Sequence, residues 1–154
     1  MTTTAHFLPQ SIHKPPNFPA GQGSRYCNCS FVLLGLLLEK ITGMTYRDYV
    51  RQFIFDNAGM THSDFFRMDR VTENVAEGCD PVRDEEDHVV GWKRNIYSFP
   101  PVGSPDSGAH VTAGDLDRFL RAVKAGELLS PELTEAFLTT QVRARERNGW
   151  IRMY

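Results

Sequence analysis

The stretch Asn28–Gly43, NCSFVLLGLLLEKITG, decides how the rest of the chain is interpreted. Its apolar residues recur at positions i, i+1, i+4, i+5 and i+8, which places them on one broad face of an α-helix. These residues are Leu33, Leu34, Leu37, Leu38 and Ile41. Gly43 follows as a helix stop, because glycine tolerates the left-handed conformation that often ends a helix. The pattern predicts a helix from Asn28 to Ile41 with an apolar face that another element must cover.

Start and stop signals predict three further helices. One begins at Thr45 and ends near Asn57. The next begins at Thr112 and continues to about Ala125, where a glycine follows. The last begins at Ser130-Pro131-Glu132, which combines a cap, a proline at the first helical position and an acid in the first turn.

The remaining segments predict turns and short strands. Val71 to Cys79 and Val89 to Lys93 have strand character, and the acidic run Asp84 to Asp87 forms a turn between them. Ser98 to Gly108 contains three prolines and two glycines, so it is expected to be a loop. The chain ends in an apolar and aromatic stretch with strand propensity.

These elements predict a fold that is mainly α with short β segments. The expected organisation is an irregular N-terminal segment over residues 1–24 and a helical subdomain over residues 25–147. The helical subdomain contains a loop and short-strand insertion over residues 60–110, and residues 148–154 start a strand that is cut short.

Composition limits the classes of function. The chain has 154 residues, with 41% apolar and 23% charged residues and a net charge of −2, which is typical of a globular domain. The basic residues are scattered, so no nucleic-acid partner is predicted. The longest apolar run, Phe31 to Leu38, is too short to span a membrane.

Three cysteines, Cys27, Cys29 and Cys79, are too few and odd in number for a disulfide framework. The five histidines are dispersed, so the sequence predicts no metal site and no cofactor. Free thiols favour the cytosol, and the N-terminus has no signal-peptide pattern. In a fragment, that absence would leave the location of the parent protein unassigned.

Tyr26 and Asn28 are the residues most suited to chemistry, since they lie two positions apart just before the first helix. A phenol near a cation can act as a general base, and an amide can hold a substrate amide by hydrogen bonds. The structural alternative is that Asn28 caps the helix and Tyr26 packs. Physical reasoning alone favours that alternative.

The segment Pro19–Gly35, with Tyr26-Cys27-Asn28 inside it, resembles the Tyr-x-Asn block of class C serine β-lactamases, D,D-carboxypeptidases and related esterases. Similar blocks follow at Glu39–Tyr46, Ile54–Thr61 and Ser107–Leu116. The resemblance covers roughly residues 15–140 and is weakest over 62–100. Together the blocks indicate the helical subdomain of the β-lactamase and D,D-peptidase fold, with an incomplete sheet.

The resemblance implies a serine hydrolase that forms an acyl-enzyme with β-lactams, D-Ala-D-Ala peptides or esters. Tyr26 matches the catalytic tyrosine, and Asn28 matches the asparagine that contacts the substrate amide. Trp92 and Tyr97 lie in a segment that often covers the substrate pocket in this family, so they are further substrate-binding candidates. The partner implied for the full-length parent is a small-molecule or peptide substrate.

Three departures accompany the resemblance. The one Ser-x-x-Lys match, Ser11 to Lys14, is followed by two prolines that disfavour the helix this motif needs. The Lys- or His-x-Gly strand of the family has no match in the chain. Gly23 and Ser24 replace the basic and aromatic pair common before the tyrosine. We therefore expect the nucleophile to lie outside this chain, which would then be inactive alone.

Two alternatives from other classes stay open. The chain could be a stand-alone helical binding module with Tyr26 and Asn28 in structural roles, or a fragment without a function of its own. If the apolar helix faces lack their sheet, association into a homo-oligomer through exposed apolar surface is also expected. His62 and His110 are expected to be surface or capping residues, and Asp84 to Asp87 a solvated turn.

Overall fold

The computed structural model describes residues 2–10, 12–23, 25–140, 143–147 and 150–153, the last two ranges by their backbone alone. The α-helices are α1 (Asn28–Thr42), α2 (Tyr46–Val50), α3 (Ala113–Lys124) and α4 (Pro131–Leu138). The strands are β1 (Cys79–Arg83), β2 (Val89–Arg94), β3 (Arg143–Arg147) and β4 (Trp150–Met153). A 3-10 helix covers Thr4–Gln10, and a π-helix covers Arg51–Phe55. The prediction of a mainly helical chain with short strands is confirmed.

Strands β1 and β2 form an antiparallel hairpin in which Cys79 pairs with Arg94 and Pro81 pairs with Trp92. The acidic turn between them lies where the sequence predicted it, and the Asp84 carboxylate accepts hydrogen bonds from the backbone N–H groups of Glu86 and His88 at 3.0 and 2.9 Å. β2 was predicted closely.

The strand predicted over Val71 to Cys79 is wrong, because β1 begins only at Cys79. Asn74 in this stretch has a positive φ of 57°, which no extended strand accommodates. The backbone therefore turns before it reaches the hairpin.

Strands β3 and β4 form a second antiparallel pair, with Arg147 opposite Trp150. β3 lies inside the range that the sequence assigned to the helical subdomain. Helix α4 ends at Leu138, so the chain beyond it is available for strand pairing.

The chain divides into two compact units. The first consists of Met1–His13, Asn28–Arg47 and Asp64–His110, and the second of Lys14–Cys27, Asp48–Ser63 and Val111–Tyr154. The buried apolar residues of the first unit are Phe7, Val32, Phe65 and Val102. Those of the second are Phe55, Ala58, Met60, Ala122 and Val123.

In the first unit, α1 packs through Val32 and Gly35 rather than through the predicted apolar face. Gly35 lies so close to the Pro105 ring that a Cβ there would be 2.7 Å from the proline Cβ. The residues of the predicted face are instead largely exposed: Leu33 (53%), Leu34 (61%), Leu37 (53%) and Ile41 (74%). The periodicity was correct, but no element among the described residues covers most of that stripe.

The N-terminal segment, expected to be irregular, contains the 3-10 helix in the first unit. Phe7 is buried there, and the Thr4 hydroxyl donates a hydrogen bond of 2.7 Å to the Glu39 carboxylate of α1. Burial of an aromatic ring stabilises such a segment, and the helix contains Pro9.

In the second unit, both predicted helix starts are confirmed by their caps. The Thr112 hydroxyl accepts a hydrogen bond from the Asp115 N–H at the start of α3. The Ser130 hydroxyl accepts one from the Leu133 N–H at the start of α4. The helix predicted from Thr45 to Asn57 is divided into α2 and the π-helix.

No single helix among the described residues is long and apolar enough to cross a bilayer. Counted as one segment, α1, α2 and the π-helix would meet that requirement of length and apolar character. Within the same residues, no group of three acidic, cysteine or histidine side chains is arranged to hold a metal ion. The three cysteines are free thiols.

Candidate active site

The Tyr-x-Asn sequence lies at the N-terminal end of α1. Asn28 is the first residue of the helix and is exposed. Tyr26, two residues earlier, exposes 75% of its surface, so its phenol is accessible to solvent. These two residues belong to different compact units, and each keeps its predicted role as a site candidate.

The segment before Tyr26 is shaped by local contacts of the second unit. The Arg25 guanidinium donates a hydrogen bond of 2.7 Å to the Asn17 side-chain oxygen. A Cβ at Gly23 would lie 3.0 Å from the Phe18 ring, so this position favours a residue without a side chain. The departure of Gly23 from the family pattern thus has a steric reason, and Ser24 lies outside the described residues.

The loop after β2 is built on the close approach of two glycines in the first unit. Ser104 and Ser107 exchange two backbone hydrogen bonds, of 2.8 and 3.0 Å. A Cβ at Gly108 would lie 2.6 Å from the Gly103 Cα. The two backbone segments of the loop therefore approach too closely for a side chain at this point. The Arg47 guanidinium fixes the loop further by donating to the Gly103 carbonyl at 2.7 Å.

The same loop places a buried hydroxyl and a carboxylate near a phenol. The buried Ser104 hydroxyl donates to the Asp106 carboxylate. Tyr46 packs edge-on against Phe65, with ring centroids 5.8 Å apart. Burial, followed by the negative charge of Asp106, raises the pKa of Tyr46 above its usual value. Tyr46 is therefore held in its neutral form and is unsuited to act as a base.

Asp115 is the centre of the polar network in the second unit and is fully buried. Its carboxylate accepts hydrogen bonds from the His62 N–H at 2.8 Å and from the Ser63 hydroxyl at 2.7 Å. The Arg118 guanidinium donates to its second oxygen at 2.6 Å. Burial opposes ionisation, but the bonds from Ser63, His62 and Arg118 together hold the pKa of Asp115 below its usual value.

The two aromatic candidates lie in the first unit. Trp92 is on β2 opposite Pro81 and exposes 68% of its surface. Tyr97 follows β2 in a turn and exposes 94%. Neither ring lines the cavity beside residues 66–78 or the one beside residues 99–110, so their role in substrate binding stays a prediction.

The remaining residues singled out from the sequence are Ser11 and Lys14 of the Ser-x-x-Lys match, and His110. Ser11 lies outside the described residues, and Lys14 is exposed. His110 is half-buried, and its backbone exchanges hydrogen bonds of 3.1 and 2.9 Å with Asp64. Sequence reasoning missed both the burial of Asp115 and that of His110, because each depends on a segment about fifty positions away in the chain.

Several proteins of known structure or sequence are similar to this chain. The penicillin-binding protein from Bacillus halodurans is 33% identical, with a TM-score of 0.87 over 98% of this chain and 49% of that chain. The octameric penicillin-binding protein homologue from Pyrococcus abyssi has a TM-score of 0.72 at 24% identity, over 92% of this chain and 31% of that one, and shows the fold alone. A D-aminopeptidase from Cereibacter sphaeroides is 34% identical over 80 residues, which are 52% of this chain and 13% of that protein.

The chain spans about half the length of the solved structure that it matches with 33% identity. A family profile described as Beta-lactamase matches residues 7–152, which is almost the whole chain. The resemblance found in the Tyr-x-Asn block and the segments after it is therefore confirmed: the chain belongs to the β-lactamase family of serine hydrolases.

Proposed function

We propose that this chain supplies the Tyr-x-Asn part of a serine hydrolase that forms an acyl-enzyme with an amide or ester. The observation that carries the proposal is the position of Tyr26, exposed two residues before α1 in a chain whose family match spans residues 7–152. In this role the Tyr26 phenol manages the proton of the nucleophilic serine. The Asn28 amide holds the substrate amide by hydrogen bonds.

The substrates proposed are β-lactams, D-Ala-D-Ala peptides and small esters. The similarity to a D-aminopeptidase adds amides of D-amino acids to this group. Trp92 and Tyr97 are proposed to contact the apolar part of the substrate, because exposed aromatic rings on a hairpin and its following turn are available for such contacts.

We also propose that the 154-residue chain alone forms no acyl-enzyme. Two prolines follow Ser11–Lys14 directly, and Lys14 lies in an exposed bend rather than in a helix. The nucleophilic serine would then come from a part of the enzyme outside these 154 residues. Labelling the purified chain with a fluorescent penicillin or fluorophosphonate tests this: we expect no label, and label on Ser11 that is lost in Ser11→Ala would overturn the proposal.

A chimera tests the positive part of the proposal. The chain would replace the structurally matched half of the Bacillus halodurans protein, and hydrolysis of a chromogenic ester and of a D-amino acid anilide would be measured. We expect Tyr26→Phe to lower kcat by about 10²–10⁴-fold, the usual contribution of a general acid or base. Tyr49→Phe is the matched control, since Tyr49 packs on Phe53 with ring centroids 4.6 Å apart. Equal activity of the two variants would contradict the role of Tyr26.

A second candidate function is self-association or binding through α1. The observation that favours it is the exposure of Leu33, Leu34, Leu37 and Ile41 along one stripe of this helix. Large apolar stripes on a soluble protein mark interaction surfaces, and the similar protein from Pyrococcus abyssi is an octamer. Turnover in the chimera without activity of the isolated chain would favour the hydrolase; a stable, inactive oligomer with an inactive chimera would favour the binding module.

A further inference from the structure

Two cysteines flank Asn28, and the proposed hydrolase function uses neither of their thiols. Cys27 and Cys29 are separated by that one residue, and both side chains are half-buried, so each is partly accessible to small molecules in solution. Neither forms a disulfide. The third cysteine, Cys79, is exposed at the start of β1, about fifty positions further along the chain.

The spacing of the two neighbouring cysteines allows a bond between them. Each residue of a fully extended chain adds at most about 3.6 Å, so the Cα atoms of residues two positions apart are never more than about 7 Å apart. The Cα atoms of disulfide-bonded cysteines are usually about 4.4–6.8 Å apart. Cys27 and Cys29 are therefore within or close to this range in any backbone conformation, and no distant segment has to move to join them.

A bond between these cysteines would be closed through the backbone of Asn28, which restricts the conformation of that residue. Asn28 is the first residue of α1 and Cys29 is the second, whereas Cys27 precedes the helix. Successive side chains of an α-helix point about 100° apart, so residues two positions apart do not face each other. We therefore expect the bond to draw Asn28 out of its helical conformation.

This strain would make the bond easy to reduce. Disulfides that depart from relaxed geometry store energy and are more reducible, and strained disulfides are the labile or regulatory kind rather than the structural kind. Transient disulfides of this type also occur in compartments that keep most thiols reduced. A pair of reduced cysteines two positions apart is thus suited to reversible oxidation.

We propose that Cys27 and Cys29 form a reversible oxidation site for a low-molecular-weight disulfide, represented by glutathione disulfide. One cysteine thiolate attacks a sulfur of glutathione disulfide, which forms a mixed disulfide and releases one glutathione thiolate. The second cysteine thiolate then attacks the protein sulfur of the mixed disulfide, so the S–S bond between Cys27 and Cys29 forms and the second glutathione leaves. The two thiol protons pass to the two glutathione thiolates: the cysteine pair loses two electrons, and glutathione disulfide gains them.

The consequence of this oxidation for turnover rests on the proposed function. There the Asn28 amide holds the substrate amide, so displacement of Asn28 removes that hydrogen bond until a thiol reductant reopens the ring. Oxidation of the two flanking cysteines would therefore lower hydrolysis reversibly, without any change to Tyr26.

Mass spectrometry of the 154-residue chain carrying Cys79→Ser tests the bond itself. The chain is incubated with glutathione disulfide, and the remaining thiols are blocked with iodoacetamide. We expect a monomer lighter than the reduced chain by two hydrogens, with no glutathione and no acetamide group attached. Adding Cys27→Ser or Cys29→Ser leaves a single thiol, and these matched controls should carry one glutathione. Two glutathiones or two acetamide groups on the two-cysteine chain, or disulfide-linked dimers, would overturn the proposal.

The displacement of Asn28 is tested by the ¹³Cα chemical shifts of the same chain. On oxidation we expect Asn28 and Ser30 to lose their helical shifts, whereas Glu39 and Lys40, near the other end of α1, should keep theirs. Helical shifts retained at Asn28 in the oxidised chain would overturn its displacement.

The effect on turnover is tested in the chimera with the Bacillus halodurans protein. Glutathione disulfide should lower kcat/KM about tenfold, which is the usual effect of losing one hydrogen bond, and dithiothreitol should restore it. The Cys29→Ser chimera should be unaffected, and an equal loss in both chimeras would overturn the role of the cysteine pair. A chimera that is inactive when reduced would contradict only the proposed function, because the mass and the chemical shifts do not depend on activity.

Discussion

The Ser63 hydroxyl donates a hydrogen bond of 2.7 Å to the Asp115 carboxylate across fifty-two positions of sequence. This bond joins the turn after the π-helix to the first turn of α3 within the second unit. Because the carboxylate is fully buried, its partners must all be retained for the charge to be tolerated. We therefore expect the folding of this unit to depend on Asp115.

Asp115→Asn should destabilise the chain. The substitution keeps the size of the side chain but removes the charge and places an amide N–H₂ group among the three donors of His62, Ser63 and Arg118. We expect Tm to fall by roughly 5–10 °C, the size of effect usual when a buried network loses a member. Asp117→Asn is the control, since Asp117 is exposed on the same helix and pairs with Arg121. A Tm equal to that of the control would contradict the role of Asp115.

The stabilisation by Asp115 should depend on pH in a defined direction. Its pKa in the folded chain is below the usual value, so its contribution is present above that usual value of about 3.9 and is lost as the pH falls through the folded pKa. The Tm difference between wild type and Asp115→Asn should therefore be largest near neutral pH and shrink as the pH falls below the usual value of about 3.9. The pKa values of Asp69 and Glu132 are lowered as well, so the difference between the two proteins is the measurement that isolates Asp115. A difference that stays constant with pH would show that the charge is irrelevant.

Gly35→Ala should destabilise α1 even though alanine favours helices. The new Cβ would meet the rigid Pro105 ring at 2.7 Å or less, and overpacking of this kind costs about 1–3 kcal/mol. Gly114→Ala is the matched control within another helix, because a Cβ there would meet its nearest neighbours only at 3.8 Å. The control should be neutral or stabilise by a few tenths of a kcal/mol, as helix propensity predicts. Urea denaturation that ranks the two variants in the opposite order would exclude the close contact.

The exposed stripe of α1 should make the chain self-associate and bind a hydrophobic dye. Burial of one such side chain stabilises by about 1.5–3 kcal/mol, so its exposure leaves a strong tendency to find a partner. Leu34→Lys should lower dye binding and shift light scattering toward the monomer. Ile12→Lys is the matched control, because Ile12 and Leu34 are both 61% exposed and Ile12 lies outside the stripe. A dye-negative wild-type monomer that melts cooperatively above about 65 °C would contradict this expectation.

Local signals predicted the elements that depend on neighbouring residues. The caps at Thr112 and Ser130, the acidic turn of the hairpin and strand β2 all follow from a few adjacent side chains, and the structure contains them. The Tyr-x-Asn block and its spacing to later blocks were enough to identify the family. The catalytic role of Tyr26 and the substrate-binding role of Asn28 remain predictions, because the exposure of a side chain does not by itself show a reaction.

Features that depend on distant residues were not predictable. The periodicity of α1 identified its apolar face, but which side of the helix packs was decided by Pro105, seventy positions beyond Gly35. The buried state of Asp115 depends on His62 and Ser63, and the position of His110 depends on its backbone pairing with Asp64. The positive φ of Asn74 ended a stretch that composition alone had favoured as a strand.

The β1–β2 hairpin gives the chain a natural attachment point. Its apolar side chains Val82, Val89, Val90 and Trp92 are all exposed, and the Asp84 carboxylate closes the turn at its tip. Exposed loop tips of this kind accept inserted sequence better than any other part of a fold. An affinity tag or a small fluorescent domain placed between Glu85 and Glu86 would therefore report on the chain inside a living cell while leaving the base of the hairpin, where Arg94 pairs with Glu77, intact.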